Sequence, residues 1–313
     1  MSGIDRTHTG RLGQWWWTVD RWLLLSFVWL LVISAVLVTA SSPPVAKRIG
    51  LTPYHFVVRQ YVFLVAACAV MIGVSLMPRR LVSRLAALGL AVTLVLLLLL
   101  PLVSDSTKGA TRWLRLGPLS LQPSEFLKPF FIITVAWLIS QRQRLVGFPG
   151  YKAAAGLFGV CALLLLAPPD LGMTLVLTAI FGVQLFLSGI PLLWIAALGS
   201  VALGITLGAY MWFPHVASRI HGFINPRLSD NYQVNKSLEA FAGGGLIGEG
   251  PGSGTVKWSL PDAHTDFVFA VIGEEFGLIS CLMIAAVFIA IVLRGLYKAY
   301  KAQDMFVMLA VTG

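Results

Sequence analysis

Long apolar runs alternate with short polar stretches along almost the whole chain. Their ends give predicted spans at about 22–40, 57–77, 85–103, 123–140, 153–167, 170–188, 192–212 and 266–294, with a ninth starting near 305. Most approach the roughly 20 apolar residues that cross a bilayer as a helix. The connections carry breakers. Ser41-Ser-Pro-Pro44 is expected to end the first span, Pro78-Arg79-Arg80 the second and Pro168-Pro169 the fifth, while Gly189-Ile-Pro191 makes a tight joint before the seventh. Between spans seven and eight lies one long polar loop, 213–265, in which 234–241 reads as a short helix. The predicted fold is an all-α polytopic membrane protein of about eight transmembrane helices, with residues 1–21 as a polar tail and 22–313 as the helical domain.

Composition strengthens this reading. The chain is 58% hydrophobic and 12% charged, with a mean hydropathy of +0.84, which excludes a soluble domain of this length. Cys68, Cys161 and Cys281 each sit inside an apolar run, so they read as small buried hydrophobes and not as a disulfide framework or a metal site. The net charge of +10 is spread over many short loops, which argues against nucleic acid as a partner. Clusters at Arg79-Arg80-Arg84, Arg142-Arg144-Lys152 and Arg294-Lys298-Lys301 lie close to span ends, and the positive-inside rule places them in the cytoplasm. The amino terminus is then cytoplasmic, with an uncleaved first helix and Trp15-Trp16-Trp17 at the interface. The 104–122 loop, Asp170, the long loop and Asp266 fall on the outer side.

The polar residues that look chemical therefore share one face. Asp266 is the last charge before the eighth apolar run. On a helix starting there, Ala270, Gly273, Gly277 and Ser280 fall below it as a face of small residues, open to another helix or to a lipid tail. Glu275 points the opposite way and Glu274 to the side. The alternative is that 261–266 only start a helix. Glu125 and Lys128, three apart at the start of the fourth span, share a face; they read either as a structural ion pair or as the lining of a polar cavity. Lys108 and Arg112 suit a phosphate or face water. Asp170 reads as a helix cap. The glycines of 243–254 read as turns, because the strand and helix that flank a nucleotide loop are missing. His264 and Asp266 alone are too few for a metal site.

The ordered set of stretches is more specific than any one of them. It comprises Lys108-Gly-Ala-Thr-Arg112-Trp113, Gln122-Pro-Ser-Glu125-Phe-Leu-Lys128, Pro169-Asp170-Leu-Gly172, Asn231-Tyr-Gln233, Gly244-Gly-Leu-Ile-Gly248, Leu260-Pro-Asp-Ala-His264-Thr265-Asp266-Phe267 and Gly273-Glu274-Glu-Phe-Gly277. Over nearly its full length the chain resembles the shape, elongation, division and sporulation (SEDS) family, and its division branch more than its elongation branch. The resemblance implies a peptidoglycan glycosyltransferase of the bacterial inner membrane, acting at the septum on the extracytoplasmic side. It implies lipid II as substrate, and a class B penicillin-binding protein and other division-complex membrane proteins as partners. It also implies Asp266 as the catalytic residue, with Glu125 and Lys128 lining the same cavity. Trp113, Gln233, His264 and Thr265 fall in the family's stretches and are expected at the substrate. Asp170, Gly273, Glu274 and Gly277 are expected to support the site. The family usually has ten spans and a Pro-Phe-x-Ser-Tyr-Gly-Gly stretch near its end, so the resemblance implies that this chain is shortened at its carboxyl terminus.

The inventory fits one mechanism. A donor carrying pyrophosphate on its anomeric carbon already has a good leaving group, so it needs cations more than a general acid. Inversion by direct displacement needs one carboxylate, in contrast to the pair of a glycoside hydrolase. Asp266 is expected to take the hydroxyl proton. Lys108, Arg112, Lys128, Arg219 and Arg227 are candidates to stabilise the pyrophosphate. A divalent cation, Mg or Mn, is the one cofactor this chemistry leaves room for. Two other classes stay open: a flippase for the same lipid, which broken midplane helices would favour, and a non-catalytic division scaffold.

Overall fold

The computed structural model describes residues 10–103, 113–116, 119–145, 147–168, 170–224 and 232–313. Among these, six helices are long and apolar enough to cross a membrane, and two shorter apolar helices join them. The chain divides into two compact units: residues 1–76 with 214–294, and 77–213 with 295–313.

The first unit holds α1 (Arg11–Thr18), α2 (Arg21–Arg48), α3 (His55–Ser75), α9 (Pro214–Ile224), α10 (Tyr232–Gly244), a 3-10 turn (Val256–Trp258) and most of α11 (Val268–Lys301). Asp20 starts α2 by accepting from the amides of Trp22 and Leu23, and it also pairs with Arg294 at 2.9 Å. Pro43 and Pro44 do not end α2. The helix runs through both prolines to Arg48, although their missing N–H groups deprive the carbonyls of Thr39 and Ala40 of their usual donors. Burial outweighs that loss: Ser41, Ser42, Val45 and Ala46 are all enclosed, and Val45 packs with Ala240, Leu260, Ala263, Ala270 and Val271.

The second unit holds α4 (Arg79–Val103), a short antiparallel hairpin of β1 (Leu114–Leu116) and β2 (Leu119–Leu121), α5 (Pro123–Arg144), α6 (Gly150–Leu166), α7 (Leu171–Leu187), α8 (Leu192–Trp212) and α12 (Met305–Thr312). The hairpin lies within the stretch that reads from the sequence as the polar 104–122 loop. Helix α5 is the hub of the core. Its Leu127, Phe131, Val135, Ala136 and Ile139 are buried against α6, α7 and Leu309 of α12. Gln184 is fully enclosed and donates to the carbonyls of Ile132 and Leu309 at 3.0 and 3.1 Å. A buried amide needs such partners, and here one side chain ties three helices together.

Candidate active site

Helix α11 begins at Val268, so Asp266 does not stand on it; residues 261–267 form successive turns. The turns are braced from beneath. Leu260 and Ala263 are fully buried, and Arg48 donates to the Leu260 carbonyl at 3.0 Å. The Asp262 carbonyl accepts from the amides of Thr265 and Phe267 at 3.0 and 3.3 Å, with Asp262 itself at φ 51°. On this base Asp266 and Thr265 are exposed. His264 is half-buried with its ring 4.2 Å from that of Phe56. Its Nδ1 is enclosed with no hydrogen-bond partner among the described residues. Burial holds the His264 pKa below the usual histidine value, and the carboxylates of Asp262 and Asp266 pull weakly the other way. The imidazole beside Asp266 is therefore neutral at neutral pH.

The face of small residues below Asp266 is neither continuous nor open. Gly277 adopts φ 74°, ψ −179°, which breaks α11 at that point. Only glycine occupies this region readily. Gly273 lies under the ring of Phe241 from α10, and Ala270 is buried. At Ala270, Gly273 and Gly277 the face admits another part of the protein, while Ser280 lines an apolar groove. The part admitted at the break is the glycine-rich loop. The amides of Glu249 and Gly250 donate to the carbonyls of Glu274 and Glu275 at 2.9 and 3.0 Å, and the amides of Leu278 and Ile279 donate to the carbonyls of Gly245 and Leu246 at 3.0 and 3.2 Å. A broken helix inside a membrane leaves backbone groups that must be satisfied within the protein, and the loop satisfies four of them. Gly248 and Gly277 meet backbone at distances no Cβ could fit.

Glu274 and Glu275 complete the clasp, and neither points away from it. The Glu274 carboxylate accepts from the amides of Val256 and Lys257 at 2.5 and 3.0 Å. Glu275 pairs with the ammonium of Lys257, and both side chains are buried. Lys257, Asp262, Arg48 and Phe56 were not apparent as site residues from sequence. Two adjacent acids in an apolar helix were the available signal for a buried cation.

The other expected residues fall as follows. Gln233 is exposed on α10, next to Tyr232, whose hydroxyl donates to the Ser259 carbonyl at 3.2 Å. In the second unit, Glu125 and Lys128 form an ion pair of 2.8 Å in the first turns of α5, with the carboxylate half exposed. Trp113 is exposed just before β1. Asp170 is buried and caps α7 at the Met173 amide. Lys108, Arg112 and Arg227 lie outside the described residues, as does the Arg219 side chain. Among the described residues no group of three His, Cys, Asp or Glu side chains is placed to hold a metal. An apolar groove of about 470 Å³ runs between α2 and α11, walled by Trp29, Ile33, Leu37, Ile272, Phe276 and Ile284.

Together these features define a polytopic helical membrane protein with a braced, exposed acidic turn at the head of a clasped, broken helix. Residues 21–313 match the model of the FtsW/RodA/SpoVE family, described as cell cycle proteins, and the chain belongs to that family. It is 40% identical over 309 residues to a probable peptidoglycan glycosyltransferase FtsW of Caulobacter vibrioides (strain NA1000 / CB15N), covering 98% of this chain and 79% of the relative. It is 36% identical to the protein of the same name from Allochromatium vinosum, over 92% and 74% of the two chains. Among solved structures it shares its fold with a chain of a peptidoglycan synthase complex that coordinates polymerization and crosslinking (TM-score 0.67, 24% identity, 91% and 81% covered). The rod shape determining protein RodA of Thermus thermophilus is similar to the same degree (TM-score 0.66, 22% identity, 95% and 80% covered).

Proposed function

We propose that this chain is a peptidoglycan glycosyltransferase of the bacterial inner membrane that polymerises lipid II at the division septum, with Asp266 as its general base. The observation that carries this reading is the braced turn. It presents two exposed carboxylates, Asp262 and, next to the start of the membrane helix, Asp266, while the acids further along, Glu274 and Glu275, are consumed in holding the loop. The names of the relatives point to the same activity. In the reaction, a sugar hydroxyl of the acceptor attacks the anomeric carbon of the donor. The bond from that carbon to the pyrophosphate oxygen breaks, the hydroxyl proton passes to Asp266, and undecaprenyl pyrophosphate leaves. Lys128, Lys108, Arg112, Arg219 and Arg227 supply the cations for the departing charge, with Glu125 orienting Lys128. Gln233, Trp113, His264 and Thr265 contact the disaccharide–pyrophosphate. A neutral His264 leaves the carboxylates as the basic groups of the turn, and Asp266 is the one next to the helix start. The apolar groove between α2 and α11 takes the polyprenyl chain, replacing the face at Ala270, Gly273 and Gly277, which the protein itself fills. The acid turn and the long loop are extracytoplasmic. The partner is a class B penicillin-binding protein within the division complex.

The test is lipid II polymerisation in liposomes by the natural full-length protein with its transpeptidase partner. Glycan strands are expected from wild type and none from Asp266→Ala at equal expression. Full polymerisation by Asp266→Ala would overturn the assignment. Transfer of lipid II between leaflets without glycan would indicate a flippase, and division supported by Asp266→Ala in cells would indicate a scaffold.

A further inference from the structure

A polar cavity of about 460 Å³ lies within the second unit, between the first turns of α4, the last turns of α5 and the start of α12. Its walls carry three guanidinium groups, Arg79, Arg80 and Arg84, against one carboxylate, Asp304. That carboxylate is already committed. Its Oδ2 pairs with Arg79 at 2.8 Å, and its Oδ1 accepts from the amides of Phe306 and Val307, capping α12. Arg80 and Arg84 have no ion-pair partner among the described residues, so the cavity presents two uncompensated positive charges. They are four residues apart and lie on adjacent positions of one helix face. Trp137 and Gln141 supply an aromatic wall and an amide opposite. None of these residues serves the proposed transferase chemistry.

The surface beside the cavity identifies the ligand class. Leu81, Leu85 and Leu88 are 39%, 42% and 62% exposed and recur at helical spacing, with Arg84 in the same stripe. Helix α4 is a candidate span, so these leucines face hydrocarbon. An anion seated between Arg80 and Arg84 is thus continuous with an apolar track running into the bilayer. Inorganic phosphate would use only the guanidinium groups, whereas a phospholipid would use both. Basic pockets between membrane helices on the cytoplasmic side commonly bind anionic headgroups, and the charge bias of the short loops puts this end of α4 in the cytoplasm. We propose that this cavity holds the phosphate of an anionic phospholipid between Arg80 and Arg84, with its acyl chains along Leu81, Leu85 and Leu88.

The experiment is native mass spectrometry of the natural full-length protein, with phosphatidylglycerol and phosphatidylcholine of identical chains titrated in turn. Wild type is expected to retain phosphatidylglycerol preferentially, and Arg80→Gln/Arg84→Gln to bind it about thirtyfold more weakly, as removal of two interfacial cations implies. Arg80→Lys/Arg84→Lys keeps the charge and is expected to retain most of the binding. Millimolar inorganic phosphate is expected to leave the lipid in place. Equal retention of both lipids, unchanged binding by the glutamine variant, or displacement by phosphate would each overturn the proposal, the last by marking a site for the free ion. A photoreactive phosphatidylglycerol analogue tests the wild type directly. Crosslinks to the amino-terminal turns of α4 are expected, and their absence would equally overturn the proposal.

Discussion

Lys257 and Glu275 form an ion pair whose side chains are only 4% and 0% exposed, joining the long loop between α8 and α11 to the broken segment of α11. The neighbouring carboxylate, Glu274, caps the 3-10 turn that carries Lys257. Two consecutive acids thus hold one loop, one through its backbone and the other through a side chain. Such a pair contributes little relative to a well-packed apolar replacement, yet breaking it by removing one partner costs about 3–5 kcal/mol. Lys257→Met should therefore destabilise the protein strongly, because it leaves the Glu275 charge buried and unpaired. Lys257→Met combined with Glu275→Leu should recover much of the loss. Thermal unfolding in detergent, run as a double-mutant cycle, checks this; additive losses would remove the pair from the account.

Gly277 gives a sharper test of the clasp. Its φ of 74° with ψ near 180° is glycine territory, and a Cβ there would collide with the backbone of residues 246–248. Backbone strain of this kind costs about 1–3 kcal/mol before any collision is counted. Gly277→Ala should straighten α11 or expel the loop, exposing the 245–252 segment to protease and lowering transferase activity. Gly199→Ala, with open space around its Cβ position, should do neither. Limited proteolysis followed by peptide mapping decides between them.

Hydropathy located most helices because the hydrocarbon core admits few alternatives. The start of α5 at Pro123, the capping of α7 by Asp170 and the pairing of Glu125 with Lys128 follow from local chemistry, and all were legible. The failures share one cause. Pro43-Pro44 looks like a stop until Val45 is seen packed with Leu260, Ala263 and Ala270. Gly273 and Gly277 look like an open face until Phe241 and the glycine loop are placed on them. In each case the deciding partner lies far along the chain, beyond the reach of periodicity. The placement of Asp266 off the helix was not legible, because the turn beneath it depends on Asp262 at positive φ and on Arg48 from another helix.

His264 should make stability depend on pH in a defined direction. Its folded pKa lies below its unfolded value, chiefly through burial. Its neutral form is therefore the one the fold accepts. The stabilisation is complete above the unfolded pKa, near 6.5, and is lost as pH falls through the lower folded value. Melting temperatures of wild type should drop between about pH 7 and pH 5, and part of that drop should vanish in His264→Phe, which keeps the contact with Phe56. Identical pH profiles for the two proteins would show that the imidazole does not titrate against the fold.

The proposed seat of the lipid tail, the groove between α2 and α11, can be tested apart from chemistry at the turn. Ser280 lines it, and its hydroxyl already bonds within the helix to the Phe276 carbonyl, so the side chain is free of other duties. Ser280→Trp should fill part of the groove while leaving the 261–267 turns untouched. If the polyprenyl chain lies there, displacing as little as two methylene groups, at about 0.8 kcal/mol each, raises KM for long-chain lipid II roughly tenfold or more. A short-chain analogue that never reaches the groove should keep its KM, and kcat should change little for either substrate, since uniform binding and not transition-state binding has been removed. Polymerisation kinetics with the two substrates provide the check. Equal losses for both would place the tail elsewhere, whereas a fall in kcat alone would mean that the tryptophan disturbs the turn through α11.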